Sequence, residues 1–224
     1  MDRLDLPTLC QGMIRIRENA SSLLEEAELL FQNNRTARAY SLAYMACEEC
    51  GKLSILVGAA TRIILNEPID WKIFWKRFRS HSSKASQFLG FARAIPMIQE
   101  ATKTETKTVD LGTLIAKAAA GVLIGPTLFE DRNSSFYCDF KEGSFTMPSD
   151  EIKREMATQM IGFAKEHIAA ASLILGHTPD EAESKLRNRA SPETFRDITS
   201  IAGEAVELTQ AVLQMQRGRP PKAD

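Results

Sequence analysis

Residues Tyr44–Leu56 read YMACEECGKLSIL, with Cys47 and Cys50 around two adjacent carboxylates, Glu48 and Glu49, and with Gly51 and Lys52 following at once. Three chemistries use such residues: a half zinc site, a redox dithiol, or acid–base and charge work by the glutamates with the cysteines as bystanders. Zinc needs four ligands, and its Cys-x-x-Cys half wants a turn rather than a helix interior. Cys10 and Cys138 carry no partner spacing, and His167 and His177 are too far apart in sequence for a zinc pattern. A thioredoxin-like dithiol would follow a strand, which this stretch does not. No metal and no cofactor is expected, and both thiols read as small apolar core residues.

The elements that must position these groups read as helices throughout, because no stretch sustains an alternating pattern and turn punctuation is sparse. Helices are expected from about Leu9 to Phe31, Thr36 to Leu65, Asp70 to Ile95, and Leu111 to about Tyr137, the last interrupted at Gly125-Pro126. EATKTETKTVD and KEGSFTMP read as loops. Ser149 is a candidate cap for a helix to about Leu175, Thr178-Pro179 with Glu181 opens the next, and Ser191-Pro192 opens a last one to about Met215. The expected fold is all-α, a bundle of five to seven helices, since amphipathic helices without strands bury their stripes on one another. Residues 1–216 read as one domain and 217–224 as a basic, unpacked tail.

On a wheel of roughly 100° per residue, Ala39, Leu42, Ala43, Ala46, Cys50, Leu53 and Val57 form the second helix's apolar stripe, with Cys47 on its flank. Glu49 falls within about 60° of the stripe's centre. Glu48 points away, beside Tyr44, and is expected to pair with Lys52 one turn on. In the third helix His81 falls in the stripe of Phe74, Phe78 and Ala85, with Arg77 and Lys84 a turn to either side. In the fourth, Arg132 stands three past Phe129. An acid, an imidazole and a guanidinium on apolar faces are costly unless paired, so Glu49, His81 and Arg132 are expected to meet, either as a buried network fixing helix register or as a chemical site. Arg77 and Lys84 equally suit a solvated basic face.

Lysine and arginine number 28 against 29 aspartates and glutamates, so net charge selects no partner. The amino-terminal stretch MDRLDLPTL has neither the basic nor the apolar region of a signal peptide, and the most apolar stretches are broken by Arg62, Lys117 and Pro126. A cytoplasmic protein with no membrane span is expected.

SLAYMACEECGKL, then FWKRFRSHSSK, then DRNSSFYCDF, in this order and at these separations, resemble the AbiV family of bacterial abortive-infection proteins over roughly residues 18–175. The resemblance implies a HEPN-like helical fold, often dimeric, and an antiphage effector acting as a metal-independent ribonuclease. The superfamily motif is an arginine, a polar residue, three others and a histidine. Here Arg132 and Asn133 are followed by Tyr137 in the histidine's place, and tyrosine is a poor base at neutral pH. Either Tyr137 only binds the substrate, or His81 supplies the base, or catalysis is lost; the candidate catalytic residues are His81, Arg132, Tyr137 and Glu49, and the candidate RNA contacts are Asn133, Lys52, Lys84, Glu48 and Arg77. The resemblance also implies a homodimer and an activating phage or host protein. The alternative is a non-catalytic helical protein that works by binding a phage or host protein. RGRPPK, Arg217–Lys222, also resembles the core of an AT-hook, which would contact A·T-rich DNA; a plain basic tail attracted to polyanions is the competing reading.

Overall fold

A computed structural model describes residues 2–80 and 131–190. Helix α1 spans Leu6–Gln32, α2 Thr36–Ile64 and α3 Trp71–Arg79. Strands β1 (Asp139–Lys141) and β2 (Ser144–Thr146) follow, then α4 (Pro148–Glu151), α5 (Arg154–Leu175) and α6 (Pro179–Arg189). The protein is mostly helical, as expected, with one small hairpin among the described residues.

Core composition reveals the helix directions. One core cluster joins the second half of α1 (Ala20, Leu24, Ala27) to the first half of α2 (Ala37, Tyr40, Ala43, Tyr44, Ala46, Cys47) and the first half of α5 (Ala157, Met160, Ala164). The other joins the start of α1 (Leu6, Leu9, Met13) to the end of α2 (Leu53, Leu56, Ala60), with Phe74 of α3, Leu175 of α5 and Leu186 of α6. Helix α1 is therefore antiparallel to both α2 and α5, and the short 33–35 link makes α1 and α2 a helical hairpin. Alanines repeat through the first cluster because small side chains let helix backbones come close, and Tyr40 and Tyr44 fill the space that remains.

Helix ends follow local chemistry. Asp5 accepts from the Thr8 amide at 2.9 Å to cap α1, and Asp70 accepts from the Ile73 amide at 3.0 Å to cap α3. Thr178 caps α6 as its sequence foretells, accepting from the Glu181 amide at 3.2 Å. The Glu181 carboxylate reaches one residue further back than a standard capping box, to the His177 amide at 2.6 Å. At the other end of α5, Gly176 takes φ +79°, a backbone shape that disfavours any side chain. The buried Arg17 of α1 donates to the Gly176 carbonyl and, at 3.4 Å, to that of His177. Lys185 and Arg189 of α6 donate to Leu173 and Ile174 carbonyls at 3.0 and 3.1 Å. Three cations thus gather at the negative end of the α5 dipole.

Four expectations need correction. KEGSFTMP is not a plain loop: Glu142 and Gly143 both take positive φ, at 50° and 83°, which makes the tight turn of an antiparallel hairpin with Phe140 opposite Phe145. Ser149 caps nothing. Met147 and Lys153 occupy the cap positions of α4 and α5, because Pro148 starts a separate short turn. The third helix does not run unbroken from Asp70 to Ile95: it stops at Arg79, and Ser80 is extended at φ −78° and ψ 123°. Serines compete with the helix for backbone hydrogen bonds, and three lie at 80, 82 and 83. The helical run ending near Tyr137 instead stops at 134. The expected helices over 81–130 and 191–215 and the tail lie outside the described residues. Among the described residues, no helix is long and apolar enough to cross a membrane.

Candidate functional site

Helix α2 is enclosed by α1, α5 and the chain around residues 131–136, so its polar groups are buried on more than one face. Glu48 is 5% exposed, and Tyr40 and Tyr44 are almost wholly buried. With Glu48 they form one line at four-residue spacing. The wheel prediction is thus reversed: Glu48 is the buried acid. Glu49 is the partly exposed one, and it pairs with Lys52 in place of the expected Glu48–Lys52 pair. A one-stripe wheel misplaces residues on a helix packed on several sides.

The segment carrying Arg132 docks on this face of α2. Residues 131–134 form a helical turn, closed by the Ser135 amide donating to Asp131 at 2.9 Å and the Tyr137 amide to Asn133 at 3.2 Å. The buried Ser41 and Ser135 hydroxyls meet at 2.6 Å, and Ser135 also donates to the Arg132 carbonyl. Arg38, one turn before Leu42, donates to the Phe136 carbonyl at 2.9 Å and lies 5.5 Å from the centre of the Phe136 ring.

These contacts bring Arg132 near Tyr44, whose surroundings Glu48 shares. The Tyr44 phenol is held above its ordinary pKa chiefly by burial; Glu48's negative charge raises it further and the Arg132 guanidinium opposes that rise. Tyr40 is likewise raised by burial and then by Asp131. Neither phenol oxygen has a hydrogen-bond partner among the described residues. Arg132 also donates to the Asn133 side-chain oxygen at 3.4 Å. Arginine, carboxylate and buried phenol in one place can bind and orient an anion such as a phosphate ester.

Beyond the turn lies an open pocket of about 590 Å³ lined by Asn133, Ser134, Tyr137, Cys138, Asp139 and Lys141. Tyr137 is 70% exposed. Lys141 donates to Ser134 at 3.3 Å and pairs with Glu151 of α4 at 3.2 Å.

The remaining candidates separate. Glu49 and Lys52 form their own pair, with the Lys52 ammonium 5.6 Å from the centre of the Phe78 ring at the end of α3. Arg77 is exposed on α3. His81 and Lys84 lie outside the described residues, so the expected meeting of Glu49, His81 and Arg132 is set aside as to His81. The break at Ser80 also removes the reason for placing His81 on a continued apolar stripe. The acid that shares Tyr44's surroundings with Arg132 is Glu48. Sequence reasoning missed Arg38, Ser41, Tyr44 and Ser135; the four-residue spacing of Tyr40, Tyr44 and Glu48 was the signal that could have found this second face.

Cys47 and Cys50 are buried thiols, and Cys47 contacts the Met160 sulfur at 3.9 Å. Burial raises both, Cys50 to about 12 with Glu49 adding to the rise. Among the described residues, no group of His, Cys, Asp and Glu is gathered closely enough to hold a metal ion.

The sequence model of one family, HEPN_AbiV, described as AbiV, matches residues 8–169. No match was found among curated proteins or among solved structures. The matched span is most of the chain and includes nearly all of α1, the whole of α2 and the Arg132 turn. The chain belongs to the AbiV family of abortive-infection proteins, with the all-α fold of the HEPN type.

Proposed function

We propose that this AbiV protein is an antiphage effector that cuts RNA without a metal ion and thereby arrests growth or translation. The supporting observation is that the Arg132 turn is pinned to α2, where Arg132 shares the surroundings of Tyr44 with Glu48 beside an open polar pocket. In the proposed reaction a base removes the proton of a ribose 2′-OH, and that oxygen attacks the adjacent phosphorus. The bond from phosphorus to the 5′-oxygen breaks, that oxygen takes up a proton, and a 2′,3′-cyclic phosphate and a 5′-OH result. Arg132, with a planar fork matched to phosphate oxygens, stabilises the charge that builds on phosphorus. Glu48 orients the guanidinium. His81 is the proposed base on its chemistry alone, because imidazole exchanges protons near neutral pH. Lys52, Lys84 and Arg77 supply positive charge to the RNA backbone, and the active unit is a homodimer. The test is incubation of the pure protein with total cellular RNA in the presence of a chelator. Cleavage leaving 2′,3′-cyclic phosphate ends is expected; growth arrest without any RNA cleavage, even with the activating trigger, rejects this reading.

One observation favours the alternative, a non-catalytic protein that binds a phage or host protein. Phe140, Phe145 and Met147 are 60%, 82% and 55% exposed. The Phe140–Phe145 pair occupies one face of the hairpin, its ring centres 5.1 Å apart, and the exposed Cys138 contacts Met147 at 3.3 Å. An exposed apolar strip of this kind suits a protein partner.

A further inference from the structure

We infer that the pocket between the Arg132 turn and the hairpin seats an unpaired base and its phosphate, in single-stranded RNA, next to the linkage that is cut. The inference rests on the ribonuclease reading and assigns Tyr137 to base stacking rather than to proton transfer. At about 590 Å³ the pocket suits one nucleotide. Asn133, which lines it, accepts from the Arg132 guanidinium at 3.4 Å, and this contact links the pocket to that cation. Tyr137 offers an aromatic face to solvent, while its backbone is anchored by its N–H donating to the Asn133 carbonyl and by Arg38's hold on Phe136. A fixed, exposed ring is what a base stacks on, and stacking accepts any base.

Chemistry around the ring is that of a nucleotide's edges. Strand alternation puts Asp139 and Lys141 on one face of β1 and Phe140 on the other. The Asn133 amide and the Ser134 hydroxyl can meet a base edge or a 2′-OH. Lys141 is only partly exposed and stands between Ser134 and Glu151, ready to take a phosphate. Asp139 already accepts from the Phe140 amide at 2.8 Å, and its carboxylate can accept from a base's amino group while steering phosphate to the Lys141 side. A paired base in a duplex has its faces covered by neighbours, so only unpaired nucleotides fit.

The probe is a fluorescently labelled single-stranded RNA with 2′-O-methyl sugars, which lacks the attacking hydroxyl and so stays whole, alongside the same strand in a duplex. Binding by fluorescence anisotropy is compared for wild type, Tyr137→Ala, Tyr137→Phe and Lys141→Ala, each checked for helical circular dichroism. Tyr137→Ala is expected to weaken single-strand binding roughly tenfold, and Tyr137→Phe, which keeps the ring, to recover it. Lys141→Ala should lower the salt dependence by about one counterion. Duplex binding should be weak and insensitive to Tyr137. The inference alone fails if wild type cuts RNA and binds the single strand while Tyr137→Ala binds as tightly, or if Tyr137→Phe loses as much as Tyr137→Ala. A wild-type protein that neither binds nor cuts RNA overturns it together with the ribonuclease reading.

Discussion

Ser41 and Ser135 touch through their hydroxyls at 2.6 Å, both fully buried, and so join the first half of α2 to the turn that carries Arg132. A backbone carbonyl also lies within reach of each hydroxyl, Ala37 for Ser41 and Arg132 for Ser135, so two hydroxyl protons serve three contacts. Ser41→Ala and Ser135→Ala should each cost about 1 kcal/mol, and the double variant less than the sum, since the shared contact is lost only once. Urea unfolding of the four proteins of this cycle measures it. Strict additivity would mean that the two hydroxyls do not interact.

Arg132→Ala should abolish growth arrest and RNA cleavage in a folded protein. Arg132→Lys should fail to restore them, because an ammonium lacks the planar fork that matches two phosphate oxygens. Circular dichroism and a cleavage assay on both variants decide the point; full activity in Arg132→Lys would leave only charge as the requirement.

The buried thiols give an alkaline signature. Cys10 is raised to about 11 and Cys50 to about 12, from ordinary values near 9. A thiol that keeps its proton in the folded state while the unfolded chain loses it stabilises the fold below pH 9, and that stability drains away as pH rises through 9 towards 12. Tyr40 and Tyr44, raised by burial, act in the same direction from pH 10 upward. Urea midpoints should therefore fall above pH 9, and less steeply from pH 9 to 10 in the variant carrying both Cys47→Ala and Cys50→Ala. That variant should keep its activity and lose some packing stability. At pH 7.5 (about neutral), brief alkylation followed by mass spectrometry should label Cys138, which is exposed, well before the buried thiols.

Arg17→Met should cost about 2 kcal/mol, because it leaves buried carbonyls at the end of α5 without their charged donor. Gly176→Ala should cost about 1–3 kcal/mol through its positive φ and the Glu181 side chain it would strike. Thermal or urea unfolding measures both, and a neutral Arg17→Met would show that water replaces the guanidinium.

Helix existence was legible because α1 and α2 each carry apolar periodicity over many turns, and periodicity is set by backbone geometry alone. Their expected bounds agree with Leu6–Gln32 and Thr36–Ile64 to within a few residues. The cap at Thr178 was legible for the same local reason. The hairpin at 139–146 was not, since three-residue strands are too short to show alternation and Glu142-Gly143 is a turn only when flanking strands pair.

By itself the sequence determined the family, through motifs whose order and separation survive any folding, and the helical class, through periods a local backbone must obey. It also marked Arg132, Asn133 and Tyr137 as a set. Only the tertiary structure decided which acid shares Tyr44's surroundings with Arg132. Glu48 and Glu49 are neighbours about 100° apart on one helix, and their fates depend on what packs against each side. The Arg132 turn docks on α2 through Ser41 and lies near Tyr44; on the same helix Glu48 is buried while Glu49 pairs with Lys52. Burial is a property of neighbours brought from far along the chain, and no wheel drawn on α2 alone contains them.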